Sequence, residues 1–120
     1  MHGLRDVKNL LFMKGKEICQ VAIGAYDVQF NWGDGGISVK GKFCYRPGNG
    51  EAAVTWSGSQ PEVATRTVRL LKQTVERVAG QEDGTPTLTF SNGDVLEIYD
   101  PNPQYEAYSI RNGKNPVIIV

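Results

Sequence analysis

Residues 25–45 read Ala25-Tyr26-Asp27-Val28-Gln29-Phe30-Asn31-Trp32-Gly33-Asp34-Gly35-Gly36-Ile37-Ser38-Val39-Lys40-Gly41-Lys42-Phe43-Cys44-Tyr45. Successive side chains on a strand point to opposite faces. Tyr26, Val28, Phe30 and Trp32 therefore share one face, and Asp27, Gln29 and Asn31 share the other, the pattern of a half-buried strand. Residues 37–45 repeat it, with Ile37, Val39, Phe43 and Tyr45 inward and Ser38, Lys40, Lys42 and Cys44 outward. Between the two runs, Gly33 to Gly36 reads as a hairpin loop, because glycine adopts turn conformations without steric cost. Pairing Trp32 with Ile37 sets Asp27 against Lys42 and Gln29 against Lys40. An opposite-charge pair across strands supports that register by about 0.2–1 kcal/mol.

Outward from this hairpin the strand signals continue. Residues 17–23 carry apolar atoms on both faces through Ile18, Cys19, Val21 and Ile23, which predicts a central or covered strand. A strand over 51–56 follows the turn Pro47-Gly48-Asn49-Gly50. Residues 75–79, 85–90, 95–99, 105–111 and 117–120 also read as strands. Ser91-Asn92-Gly93 marks a second hairpin. A three-residue loop with Gly93 left-handed puts Leu88 opposite Leu96 and keeps Phe90 and Ile98 on one face, whereas a two-residue turn sets Leu88 against Glu97. The bulged loop is the consistent choice.

One helix is expected over 60–72. Ser59 and Glu62 have capping-box spacing, Pro61 suits the first turn, and Val63, Thr67, Leu70 and Leu71 recur at helical intervals. A weaker helical segment spans 4–12, with Leu4, Val7, Leu10 and Leu11 at similar spacing. The halves look alike. Lys16 to Ala22 resembles Gln73 to Ala79 at an offset of 57, and Val28 to Asp34 resembles Leu88 to Asp94 at an offset of 60. The fold class is α+β: a single domain over 1–120 built as an antiparallel β meander of eight to nine strands. Repeats of about 4–56 and 61–120 would give it an internal two-fold, or the strands would form a partly closed barrel. The expected core comprises Ile18, Val21, Val28, Phe30, Val39, Phe43, Val68, Leu71, Leu88, Phe90, Leu96 and Ile98.

The chain has 120 residues, with 13 basic and 13 acidic side chains, so no phosphate-neutralising surface for nucleic acid is expected. No apolar run approaches a membrane span, and residues 1–12 lack a signal-peptide layout. Cys19 and Cys44 read as free thiols in a reducing cytosol, with one disulfide open only if their strands are adjacent. The single imidazole, His2, leaves no base beside a nucleophile, no CxxC or HExxH spacing occurs, and Gly33 to Gly36 does not lead into a helix. No metal or cofactor is expected, and no catalytic residue is assigned. Cys44 alternates outward beside Lys42 and Arg46 and reads as an ordinary thiol. One carboxylate pair is worth testing: a hairpin through 100–104 would bring Glu97 near Glu106.

Aromatic and acidic residues cluster from Tyr99 to Tyr108. Tyr105 and Tyr108 fall on opposite faces of one strand, and Tyr99 points away from Leu96 and Ile98. Exposed tyrosines beside Asp100 and Glu106 suit a protein-binding patch, since tyrosine offers contact area at low entropic cost. The candidate binding residues are therefore Tyr99, Asp100, Tyr105, Glu106 and Tyr108.

The segments Phe90-Ser91-Asn92-Gly93-Asp94-Val95-Leu96-Glu97-Ile98-Tyr99-Asp100, Tyr105-Glu106-Ala107-Tyr108-Ser109-Ile110 and Val117-Ile118-Ile119-Val120 resemble a bacterial family of small uncharacterised α+β proteins. Cys19 to Gly24, with Tyr26, Gln29 and Phe30, resembles that family's first half. The resemblance implies a cytoplasmic immunity or accessory protein with a toxin-like protein partner, and carries no site residue. The leading expectation is thus a non-enzymatic protein-binding module. The alternatives are a small-molecule-binding β domain lined by Trp32, Tyr26, Phe43 and Tyr45, and a hydrolase using Glu97 and Glu106. The uncharged strand 117–120 should be paired, either within the domain or across a homodimer.

Overall fold

The structure is a computed structural model. It describes residues 12–58, 60–80, 86–99, 108–112 and 118–119, the last two stretches through their strand pairing. The expected helix 4–12 and residues Asp100, Tyr105 and Glu106 thus fall outside the described residues, apart from Phe12.

The strands are β1 (Gln20–Ile23), β2 (Val28–Trp32), β3 (Gly35–Val39), β4 (Lys42–Arg46), β5 (Val54–Trp56), β6 (Val75–Gly80), β7 (Pro86–Phe90), β8 (Val95–Tyr99), β9 (Tyr108–Asn112) and β10 (Ile118–Ile119). They form two antiparallel sheets, in the orders β1-β2-β3-β9-β10 and β5-β4-β8-β7-β6, and the sheets are not closed into a barrel. The expected single meander is therefore replaced by two sheets, each with one pair of neighbours distant in sequence, β3–β9 and β4–β8. The run expected as one strand over 37–45 breaks at Lys40–Gly41, where the chain leaves the first sheet and enters the second. β1, expected to be central or covered, lies at the edge of its sheet, with the segment 65–70 packed against it.

The first hairpin is tighter than expected. Trp32 pairs with Gly35, Phe30 with Ile37 and Val28 with Val39 around a two-residue turn, Gly33–Asp34. The register differs by two from the expected one, so the same faces meet but Lys42 is not opposite Asp27; it pairs with Tyr99 on the other sheet. The second hairpin matches its reading: Leu88 pairs with Leu96, Gly93 has φ 90°, and Phe90 N–H donates to the Asp94 carbonyl at 2.9 Å.

The helical segment is short. α1 spans Pro61–Ala64, with Pro61 in its first turn and Gln60 as N-cap. Gln60 Oε1 accepts hydrogen bonds from the Ser57 N–H at 2.9 Å and the Ser57 hydroxyl at 3.1 Å. A 3-10 helix continues over Thr65–Leu70. Three residues per turn put Ala64, Thr67 and Leu70 on one stripe, and these three are buried. Val68 and Leu71, expected in the core, are 44% and 37% exposed because they sit one position off that stripe. The buried Thr67 hydroxyl is satisfied by the Ala64 carbonyl at 2.6 Å.

The sheets are topological copies. The row Val21–Phe30–Ile37–Ile110–Ile118 crosses the first, and Val78–Leu88–Leu96–Tyr45–Val54 crosses the second in the same strand order. β1 to β3 thus correspond to β6 to β8, while β4–β5 and β9–β10 correspond as hairpins that each cross to the opposite sheet. The offset is 57 for Val21 and Val78, as the sequence shows, but 58 for Phe30 and Leu88, where alignment of Phe30 with Phe90 gives 60. The halves meet where Glu17 bridges Thr74, residues 57 apart. Ile18 N–H donates to the Gln73 carbonyl and Val75 N–H to the Lys16 carbonyl, both at 2.9 Å. Lys72 N–H donates to the Ile18 carbonyl and Gly15 N–H to the Val75 carbonyl, both at 2.7 Å. Each of these pairs of bonds exchanges into itself under the same offset, which is the signature of a local two-fold axis. Lys72 and Gly15 share a left-handed backbone, with φ 71° and 90°.

The inner faces share one core. Phe30 from the first sheet meets Phe43 from the second edge-on at 5.6 Å, and Phe43 stacks on Trp56 at 5.3 Å. Met13 and Leu70, equivalent under the axis, are both fully buried.

Candidate functional site

On β1 to β3 the outward described side chains are Gln20, Ala22, Gln29, Asn31 and Ser38, all uncharged, with Asn31 Nδ2 donating to Gln20 Oε1 at 2.9 Å, and Arg111 of β9 stands opposite Gly36 in the same sheet. The second sheet presents Arg77, Thr89, Val95 and Arg46 in one row, Thr87, Glu97, Cys44 and Thr55 in the next, and Tyr99 with Lys42 beyond. Arg77, Arg46 and Lys42 stand here with Glu97, and the exposed Glu76 in the β6 bulge beside Arg77 adds a second anion, leaving cations in a slight majority.

The central group is Glu97, which pairs with Cys44 on β4 and Thr87 on β7. Arg46 Nη2 donates to its Oε1 at 3.0 Å, and the Tyr99 hydroxyl donates to its Oε2 at 3.2 Å. The ammonium of Lys42 sits 5.1 Å from the Tyr99 ring centre, within cation–π range. Burial, and then the negative charge of Glu97, push the Tyr99 phenol above its ordinary value, so it remains a hydrogen-bond donor. Each oxygen of Glu97 already holds a donor, an arrangement that positions Arg46 and Tyr99 rather than freeing a base.

Of the sequence-predicted site, Tyr99 lies in this cluster. Tyr108 opens β9 in the other sheet, opposite Val39. The hairpin expected to join Glu97 to Glu106 is not formed, since the neighbours of β8 are β4 and β7. Tyr26, expected to line an interior with Trp32, Phe43 and Tyr45, is 75% exposed, and the other three are buried in the packed core. Lys42 and Arg46 were readable as outward cations, but nothing in the sequence places them beside Tyr99 and Glu97.

A second polar cluster is structural. Asp94 is 4% exposed and its carboxylate accepts the Tyr45 hydroxyl at 2.5 Å, the Gly48 N–H at 2.7 Å and Asn92 Nδ2 at 3.0 Å. This ties the turn 47–50 to the turn 91–93. A Cβ on Gly48 would lie 2.6 Å from the Gly93 carbonyl carbon, so glycine is required there by close approach. Burial, and then the hydrogen bond to Asp94, push the Tyr45 phenol far above its usual range. Nearby, Arg69 donates to Glu51 at 2.7 Å, which lowers the carboxyl and raises the guanidinium.

Both described cysteines are free, Cys19 exposed and Cys44 buried. Among the described residues no group of three His, Cys, Asp or Glu could hold a metal, and no helix is long and apolar enough to cross a membrane. No family model, curated protein or solved structure matches this chain.

Proposed function

We propose that this protein is a non-enzymatic binding module that docks an acidic protein surface on the outer face of β4 and β8, in the manner of an immunity or accessory protein covering a toxin in the cytoplasm. The observation that supports this reading is the braced cluster on the second sheet. Tyr99, Lys42, Arg46 and Glu97 hold one another on its outer face, whereas the described outer positions of β1 to β3 carry uncharged side chains. Tyrosine and arginine held in place lose little entropy on binding and dominate interface energetics. The partner's chemistry follows from the face: carboxylates for Lys42 and Arg77, and a flat apolar contact for Tyr99.

The test is affinity capture from the native host with tagged wild type, Tyr99→Ala and Lys42→Glu. One stoichiometric acidic protein, with affinity reduced roughly 30-fold or more by Tyr99→Ala and abolished by Lys42→Glu, supports the reading. Capture that both variants retain, or no stoichiometric protein at all, refutes it.

A further inference from the structure

We propose that Asn49–Gly50 is a site of spontaneous deamidation in the folded protein, and that its isoaspartyl product loosens the tie between the turns 47–50 and 91–93. The proposal does not rest on the binding face of β4 and β8.

The sequence holds three Asn–Gly pairs, at 49–50, 92–93 and 112–113. The chemistry is intramolecular. The backbone nitrogen after the asparagine gives up its proton to a base in the solvent and attacks the side-chain Cγ. A carbon–nitrogen bond forms, the Cγ–Nδ2 bond breaks, and the departing nitrogen takes a proton from water and leaves as ammonia. One water molecule then opens the cyclic imide. Attack at the side-chain carbonyl gives aspartate, and attack at the main-chain carbonyl gives isoaspartate. Water is the only co-reactant. Glycine in the second position favours the attack, because no Cβ crowds its nitrogen. Asparagine is thermolabile for this reason, and the fold decides which pair is free to react.

Two of the pairs sit in comparable turns. Asn92 is held at both ends of its amide: Nδ2 donates to Asp94 Oδ2 and Oδ1 accepts the Asp94 N–H, both at 3.0 Å. The attacking nitrogen there is occupied as well, since the Gly93 N–H donates to the Phe90 carbonyl at 2.9 Å. Asn49 keeps a single side-chain bond, in which Oδ1 accepts the Glu51 N–H at 3.0 Å. Its Nδ2 has no partner among the described residues, and the Gly50 N–H has no acceptor of comparable geometry there. Nothing lies within 4 Å of the place a Cβ on Gly50 would take, whereas at Gly93 the Cα of Gly48 is 3.6 Å away. Both pairs are exposed to water, so hydrogen bonding rather than access separates them.

The two products differ in their effect. Aspartate at this position still accepts the Glu51 N–H. Isoaspartate lengthens the main chain by one carbon beside Gly48, which has no slack. The Gly48 N–H donates to Asp94 at 2.7 Å, and a Cβ on Gly48 would lie 2.6 Å from the Gly93 carbonyl carbon. The longer turn must move Gly48 and weaken that bond.

The experiment incubates the native full-length protein in mildly alkaline buffer and follows each Asn–Gly peptide by mass spectrometry after digestion. Each surplus hydrogen bond at Asn92–Gly93 has to open before attack, a factor of roughly two to ten apiece, so Asn49 should convert about tenfold faster than Asn92. In concentrated urea, with both turns unfolded, the two rates should converge. The isoaspartyl form, separated from the parent by ion exchange, should unfold at a lower urea concentration. Native rates within about twofold of each other, a difference that persists in urea, or an isoaspartyl form as stable as the parent overturns the proposal.

Discussion

Replacing Asp94 by Asn should cost more stability than any other isosteric change in the described molecule. The carboxylate is 4% exposed and holds three donors: Tyr45 Oη, Gly48 N and Asn92 Nδ2. An amide keeps one acceptor oxygen. Its best placement leaves Oδ1 on the Gly48 N–H and turns Nδ2 toward the Tyr45 oxygen. The Asn92 bond is then lost, the Tyr45 bond is inverted with its own O–H left buried without an acceptor, and the Gly48 bond falls from charge-assisted to neutral. Hydrogen bonds to charged groups contribute about 1.5–3 kcal/mol each, and an orphaned buried donor costs about 1–3 kcal/mol. Because these losses overlap, the expected total is about 3 kcal/mol rather than their sum. For a domain of this size that is a fall in Tm of roughly 12 °C. Urea unfolding followed by tryptophan emission reads it directly, since Trp32 and Trp56 are both buried. The midpoint should drop with the slope unchanged. In a cycle with Tyr45→Phe, the coupling energy should be about 1.5–3 kcal/mol. A cost below ~1 kcal/mol, or a coupling indistinguishable from zero, would show that the turn-to-turn tie does not hold the molecule together.

Three further outcomes follow from named atoms. Lys72→Gly should raise stability by up to ~1 kcal/mol, because φ 71° strains any side chain, while Gly15→Ala at the equivalent position should lower it by about as much; thermal melts of the pair decide it. Thr87→Val should stabilise by about 1 kcal/mol, since Thr87 Oγ1 is buried with no hydrogen-bond partner and valine has nearly the same shape; a loss of stability would mean that the hydroxyl is satisfied. Above pH 10 the unfolded Tyr45 ionises while the folded phenol does not, so stability that is complete below pH 10 should fall by up to about 1.4 kcal/mol per pH unit. Tyr45→Phe should make that alkaline slope shallower, as read by urea midpoints between pH 9 and 11.

Strand existence was legible because alternation survives most contexts: Val28, Phe30, Leu88, Phe90, Leu96 and Ile98 are all buried as their spacing demands. The change of sheet at Lys40–Gly41 was not, for a specific reason. Ile37, Val39, Phe43 and Tyr45 keep one unbroken period across the break, so a chain that crosses between sheets looks like one long strand. The helix misread has a similar origin. Val63, Thr67, Leu70 and Leu71 fit a period of 3.6, but the backbone tightens to three per turn and buries Ala64, Thr67 and Leu70 instead. At the site, Tyr99 was visible as an outward tyrosine. Its neighbours Lys42 and Arg46 come from a strand more than fifty residues away, and only the exchanged topology brings them there.

The crossing of hairpins also sets a timetable for folding. Strand β3 waits for a neighbour encoded about seventy residues later, so the first sheet is completed only after every strand of the second has been synthesised. Pairings this distant in sequence close slowly. On the ribosome, the first half would emerge with the edge of β3 bare and β4–β5 lacking β8, and it is there, before the C-terminal strands arrive, that a nascent chain of this topology is most exposed to aggregation and most in need of a chaperone.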